Sequence, residues 1–265
     1  MKRRENEEIG LSEERILLES RNLTLRFGGL EALNSLSFSV PAGRIVAIIG
    51  PNGAGKTSLL NVISGVYSAG EGDILFDGAS LRGLKPFQIA ARGINRTYQQ
   101  IQLFANLTVR ENVMVGMHPL TRSGFILGMF HPPRERREEK GIRARAEELL
   151  DFFELREKAD WPATHIAVAE QRRLEIARAL AGGPRLVLLD EPVAGLNIRE
   201  TEAMGDFVLK VKEMGHTVIL VEHNMHLVMG ISDRVIVLHH GSKIAEGPPE
   251  EIQKDPMVIE AYLGK

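Results

Sequence analysis

The chain has 265 residues, enough to bury one large core or two modest subdomains. Apolar residues make up 43% and charged residues 26%, and 33 basic against 35 acidic residues leave a net charge of −2. That balance argues against bulk nucleic-acid or anionic-membrane binding, and the absence of cysteine removes disulfides, thiol catalysis and cysteine-ligated zinc.

Met1 to Glu8 is basic and then acidic, without the apolar stretch of a secretory leader. No run approaches the ~20 apolar residues of a spanning helix. Residues 1–15 are expected to form a polar, mobile lead-in. From Ile16 to about Val40 the pattern alternates, as in Leu23-Thr24-Leu25-Arg26-Phe27 and Leu36-Ser37-Phe38-Ser39-Val40. Period-2 runs split by Gly28-Gly29 predict antiparallel strands.

Arg44 to Ile49 then reads as a buried strand, and Ser58 to Ile63 as the start of a helix. Between them stands Gly50-Pro51-Asn52-Gly53-Ala54-Gly55-Lys56-Thr57, a phosphate-binding loop in its proper strand–loop–helix setting. Its glycines let backbone N–H groups turn around a triphosphate at a helix N-terminus. Lys56 is expected to reach the β- and γ-phosphates, and the Thr57 hydroxyl to ligate Mg²⁺.

Gly72 to Gly78 predicts a further short strand and turn, and 86–165 reads as mostly helical. Within that stretch Ile142, Ala146, Leu149, Leu150 and Phe153 recur at helical spacing in a highly charged segment. Strand–helix alternation resumes with Leu186–Leu189 and Val218–Val221, apolar runs suited to a parallel sheet, separated by helices at about 170–181 and 201–214. Val235–Leu238, Lys243–Ala245 and a helix around Met257–Leu263 close the chain. These elements describe an α/β nucleotide domain, residues 16–85 and 166–265, interrupted by a helical subdomain at 86–165.

The strand Leu186–Leu189 runs into Asp190-Glu191, which places two carboxylates at the carboxyl edge of the sheet. Asp190 suits Mg²⁺ held through water, and Glu191 suits orienting or deprotonating an attacking water. His223 follows the next strand, so it is expected at the same edge as a γ-phosphate contact. The adjacent His239 and His240 are expected on opposite faces of a strand, which disfavours a metal pair. Trp161 is expected to pack the helical subdomain, and Met225 and Met229 to lie in the core.

With these residues in place, the chain resembles the ATP-binding subunits of ABC transporters from about 16 to 264. The resemblance implies a P-loop NTPase core with an antiparallel β subdomain and a helical insertion, ATP and Mg²⁺ as ligands, and ATP hydrolysis coupled to transport. It implies that Phe27 stacks on adenine, and that Gln99 senses Mg²⁺ and the transmembrane partner. It also implies that the loop Ala194-Gly195-Leu196-Asn197 crosses a dimer interface and that Gln171–Leu180 is the helix after the family signature. Ser58 joins the expected nucleotide-binding residues.

Finer details resemble the branched-chain amino-acid uptake group: Leu25 to Leu30, Glu222-His223-Asn224-Met225, Leu227 to Asp233, Ile259 to Gly264, and a long insertion around 118–140. The implied partners are transmembrane permease subunits, a second ATP-binding cassette and, indirectly, a solute-binding protein. No nucleic acid is expected. The implied location is peripheral, on the cytoplasmic face of a membrane.

One segment departs from the family. Where the signature has Leu-Ser-Gly-Gly-Gln, or Leu-Ala-Tyr-Gly and a polar residue in this group, the chain has Ile166-Ala167-Val168-Ala169-Glu170. If the replaced glycine has φ > 0, Ala169 costs ~1–2 kcal/mol. The resemblance implies that this segment presents a helix N-terminus and backbone N–H groups to the γ-phosphate held by the opposite subunit, with Ala167, Ala169 and Glu170 as nucleotide contacts. A lost charge-assisted contact there costs ~1.5–3 kcal/mol, on the order of 10–100-fold in rate. Glu170 adds negative charge while suiting a helix start. Two readings follow: a transport ATPase, paired in an asymmetric heterodimer if the signature is defective, or a regulatory cassette with weak hydrolysis. A DNA-repair or translation ATPase is disfavoured by the lack of tandem cassettes or a coiled-coil insertion. A small P-loop kinase is disfavoured because Asp190, Glu191 and His223 would lack roles.

Overall fold

In the computed structural model, residues 14–117 and 133–263 are described; most of the lead-in, most of the expected insertion, and Gly264 lie outside them. The alternating pattern folds as a hairpin in which β1 (Ile16–Phe27) turns at Gly28-Gly29 into β2 (Leu30–Pro41), paired antiparallel from Ile16 opposite Pro41 to Phe27 opposite Leu30. The apolar run becomes β3 (Ile45–Ile49), and the phosphate loop leads into α1 (Lys56–Ile63). Strands β4 (Glu71–Phe76) and β5 (Ala79–Ser80) complete a four-stranded sheet in the order β2-β1-β4-β5.

Beyond α2 (Pro86–Ala91), the segment expected to be helical first contributes β6 (Ile94–Arg96), which pairs parallel with β7 (Leu186–Asp190). Three residues are too few for a pattern to reveal, and their pairing partner lies far along the chain. The chain then forms α3 (Val109–Val115), α4 (Pro133–Phe152) and α5 (Val168–Ala181). After β7 come α6 (Ile198–Glu213), β8 (Thr217–Val221), α7 (Met225–Ile231), β9 (Arg234–His239), β10 (Ser242–Gly247), α8 (Pro249–Ile252) and α9 (Pro256–Leu263). The second sheet is ordered β10-β9-β3-β8-β7-β6, with the β9–β3–β8–β7–β6 pairings parallel and β10 antiparallel.

Successive residues of the buried strands face different cores. Val187, Leu189, Val218 and Leu220 pack with Val109, Val113, Leu149, Leu150 and Phe153, so α3 and α4 share a core with the sheet. Leu186, Leu188, Ile219 and Val221 face the antiparallel sheet and α1. Ala47 and Ile49 face Val228, Ile252 and Val258 of the C-terminal helices. Parallel strands covered on both faces read as unbroken apolar runs for this reason. Among the described residues, no helix is long and apolar enough to cross a membrane.

Five side chains depart at least in part from expectation. The rings of His239 and His240 lie 4.1 Å apart instead of on opposite faces, because His240 has left the strand with φ +46°. Trp161 is half exposed, with Lys158 Nζ 5.4 Å from its ring centroid, and contributes mainly a backbone carbonyl to Val109. Met225 and Met229 are partly buried against the C-terminal core and do not lie at its centre.

Asp233, at the α7–β9 junction, ties three elements together. Its carboxylate accepts from Ile45 N at 2.7 Å and Lys212 Nζ at 2.8 Å, and pairs with Arg44 at 3.4 Å. Burial alone would raise its pKa, but these hydrogen bonds and charges outweigh it and hold the carboxyl below the ordinary aspartate value. A depressed folded-state pKa gives stability present above the unfolded value of about 3.9 and lost as pH falls through the folded one. Denaturant unfolding between pH 6 and 2 is therefore expected to show a loss of stability below about pH 4 that Asp233→Asn reduces.

Candidate active site

Four parallel strands end at one edge of the six-stranded sheet, and each delivers part of a single site. From β3 comes the phosphate loop, from β7 Asp190 and Glu191, from β8 Glu222 and His223, and from β6 Thr97 to Gln99. The loop's glycines are sterically required. Gly50 has φ +149°, and a Cβ there would stand 2.1 Å from the Leu238 carbonyl; Gly55 has φ +103°, with Ala32 O at 2.6 Å from its would-be Cβ. No side chain caps α1 and no acid stands in its first turn, which leaves that helix end suited to an anion.

Lys56 is buried, and its Nζ donates to Gly50 O at 2.7 Å and Pro51 O at 3.0 Å. An ammonium has three protons, so one direction is left for a phosphate oxygen. Burial pulls its pKa below the ordinary lysine value, opposed by the carboxylates of Glu191 and Asp190.

A cavity of about 400 Å³ is lined by Asn52, Gly53, Ala54, Gly55, Lys56, Thr57 and Ser58 together with Gln99, Glu191 and His223. Phe27 also lines it, half exposed and edge-on to Tyr67 at 5.1 Å between centroids. Glu191 has φ +49°, a left-handed conformation costing about 1–3 kcal/mol in a non-glycine residue. Its N–H donates to Val221 O at 2.9 Å, which holds the turn. Both carboxylate oxygens are engaged: Gln99 Nε2 donates to Oε2 at 2.9 Å, and His223 Nε2 lies 3.1 Å from Oε1.

Asp190 is buried, with Oδ2 2.8 Å from Arg96 Nη2. Thr57 is exposed on the cavity wall. Among the described residues, no three His, Cys, Asp or Glu side chains converge as an all-protein cage. A hydroxyl and a carboxylate beside a phosphate loop are hard oxygen donors, and this set fits Mg²⁺ completed by phosphate and water.

Three residues escaped the sequence reading. Glu222 is buried and accepts backbone N–H groups of Val193, His223 and Asn224, which sets the orientation of the turn carrying His223. Arg172 donates from α5 to the carbonyls of Tyr98 at 3.2 Å and Gln99 at 2.8 Å. Arg96 reaches Asp190 from β6. Each is charged and buried, but burial is not visible in a single chain; only the placement of Glu222 beside His223 offered a signal.

Residues 166–170 lie apart from this cavity. Ala167 is the extended residue before α5, with no side-chain cap, and Val168 and Ala169 open the helix. Ala169 is thus helical and is absent from the non-glycine residues with positive φ, so the strain considered from sequence does not arise. It lines a separate cavity of about 300 Å³ with Arg173, Glu200, Met204 and Phe207. Glu170 does not present an unpaired charge: it accepts from Ala167 N at 2.9 Å and from Lys158 Nζ at 2.6 Å.

The family model described as ABC transporter matches residues 33–194, and one described as Branched-chain amino acid ATP-binding cassette transporter matches 242–265. The chain is 42% identical over 252 residues to the high-affinity branched-chain amino acid transport ATP-binding protein BraF of Pseudomonas aeruginosa, covering 95% of this chain and 99% of that protein. The ATP-binding cassette MJ1267 in its ADP conformation matches with TM-score 0.82 at 31% identity, over 94% of this chain and 99% of that one. A dimeric post-hydrolysis state of the cassette MJ0796 bound to ADP and Pi matches with TM-score 0.74 at 27% identity, over 88% and 99%. The chain belongs to the ABC transporter family of ATP-binding cassettes. Its activity is ATP hydrolysis coupled to transport.

Because Ala169 is helical, Ala169→Gly is expected to lower stability by up to about 1 kcal/mol in denaturant unfolding through lost helix propensity. Steady-state ATPase activity is expected to change by less than about threefold, which is under 1 kcal/mol of barrier. A several-fold acceleration would show that the methyl group itself obstructs the γ-phosphate.

Proposed function

We propose that this chain powers the uptake of branched-chain amino acids from the cytoplasmic face of a membrane, as one of two cassettes clamped beneath permease subunits. The observation that carries the catalytic reading is the Glu191 carboxylate held between Gln99 and His223 at the mouth of the phosphate loop. The solute assignment is supported by the match of the C-terminal residues and by the likeness to BraF.

ATP lies with its triphosphate along Asn52–Ser58 and its adenine against Phe27. Lys56 donates its remaining proton to a β- or γ-oxygen. Thr57 and Asp190 would hold Mg²⁺, which would supply positive charge to the transferring phosphoryl group. Glu191 accepts a proton from a water attacking the γ-phosphorus in line as the bond to the β–γ bridging oxygen breaks, and His223 donates to a γ-oxygen. One contact on each Glu191 oxygen leaves a lone pair on each for the attacking water, so Gln99 and His223 orient the carboxylate without closing it to the proton. The loop that carries Gln99 borders a groove of about 690 Å³ lined by exposed Phe87, Tyr98 and Phe104, a surface suited to a permease helix.

A second cassette, packed head to tail, supplies residues 166–170 and the loop 194–197 to the opposite nucleotide. Val168 and Ile198, 51% and 78% exposed, are the apolar contacts such a partner covers. The dimeric MJ0796 supports this arrangement by similarity of fold. Helical Ala169 gives no strain argument for unequal half-sites, and intact Glu191 and His223 favour a working ATPase over a regulatory cassette.

Glu191→Gln is expected to lower turnover by about 10²–10⁴-fold, the usual contribution of a general base, while ATP affinity by equilibrium binding is retained. For the solute, the cassette reconstituted with its permease in vesicles should drive ATP-dependent accumulation of leucine, isoleucine or valine. ATPase stimulation and uptake by an unrelated solute alone would overturn that assignment.

A further inference from the structure

We propose that Arg96 is a positioning residue for the Asp190 carboxylate, fixing which of its oxygens faces Mg²⁺ and joining that site to the groove beside Tyr98. The proposal rests on Asp190 serving Mg²⁺, as read above.

The Arg96 and Asp190 side chains are 5% and 3% exposed, so their 2.8 Å contact is a nearly dry ion pair. Such a bond is short and directional because both partners are charged and neither is shared with water. It commits Oδ2 to Arg96 and leaves Oδ1 for the Mg²⁺ side. Lys56, the other cation beside Asp190, directs its hydrogen bonds to Gly50 O and Pro51 O.

The guanidinium is itself held. Nη1 donates to Asn61 Oδ1 at 2.7 Å and Ser64 Oγ at 3.2 Å, both on or just after α1, the helix that follows the phosphate loop. One side chain on β6 therefore fixes the Mg²⁺ carboxylate on β7 relative to the helix that carries Thr57. Groups that orient a metal-ligating carboxylate tune metal affinity without touching the metal.

Arg96 also borders the groove from beneath Tyr98. Its guanidinium carbon lies 5.0 Å from the Tyr98 ring centroid, and Arg96 and Tyr98 line the same groove. Arg96 Nε is buried without a hydrogen-bond partner. A helix seated in the groove and displacing Tyr98 would act on a side chain already bonded to Asp190, a shorter route to the Mg²⁺ site than movement of the whole Gln99 loop.

The test uses Mn²⁺ as the probe, titrated by electron paramagnetic resonance into the full chain carrying one non-hydrolysable ATP analogue. Arg96→Lys keeps the charge and loses the planar fork. It is expected to raise the Mn²⁺ concentration for half-saturation by about 10–100-fold, with metal-free affinity for a fluorescent ATP analogue unchanged within about twofold. Asn61→Ala, which frees the guanidinium while keeping both charges, is expected to shift half-saturation in the same direction by less. Asp190→Asn separates the two readings. If Asp190→Asn weakens Mn²⁺ binding and Arg96→Lys does not, Arg96 is structural only and the proposal falls. If Asp190→Asn leaves Mn²⁺ unchanged, the Mg²⁺ role of Asp190 fails and the proposal with it. Should Arg96→Lys not fold, an unshifted Asn61→Ala overturns the proposal.

Discussion

In the ladder between β7 and β8, Asp190 stands opposite Val221, and the next N–H, that of Glu191, also goes to the Val221 carbonyl. That register decides where the last residues of both strands emerge. It turns Glu191 into a left-handed conformation and brings His223 within 3.1 Å of its carboxylate. A one-residue slip would send each side chain to the other face of its strand, because the side-chain period of a strand is two. The parallel pairings of β3 with β8 and of β6 with β7 extend the same edge to the phosphate loop and to Gln99.

Each charged group around this edge has hydrogen-bond partners. Lys56 has two carbonyls, Asp190 has Arg96, and Glu191 has Gln99 and His223. Farther back, Glu175 is buried in α5 and accepts from Gln102 N at 2.7 Å. Burial raises its carboxyl above the ordinary glutamate value against the pull of that bond and of Arg172 and Arg178. With Arg172 donating to the Gln99 carbonyl, two side chains of the helix behind the signature grip the loop that ends in the catalytic cluster. Removing one partner of a buried pair leaves an uncompensated charge, typically worth 3–5 kcal/mol. These contacts tie α5 to the loop that carries Gln99.

The signature illustrates what a residue-by-residue comparison can and cannot decide. Alanine in place of glycine at 169 carries backbone strain only if the backbone there is left-handed, and it is helical. Glu170 looked like an added charge beside a phosphate, but it closes the start of α5 and pairs with Lys158. Its negative charge is paired with the helix start and an ammonium.

The sequence by itself determined the strand–loop–helix around Lys56, the carboxylates at the end of β7, the histidine after β8 and the alternation of the hairpin. Each of these is local: it follows from apolar periodicity and from residue types at fixed spacing. Tertiary structure decided the rest. It added β6 to the sheet, set the two adjacent histidine rings together through one left-handed residue, and left Trp161 half exposed. It also chose which buried arginine met which carboxylate, as with Arg96 and Asp190 across 94 residues. A pattern along the chain records which face of an element is buried but not what it is buried against, and ion pairs, sheet edges and catalytic geometry depend on the latter.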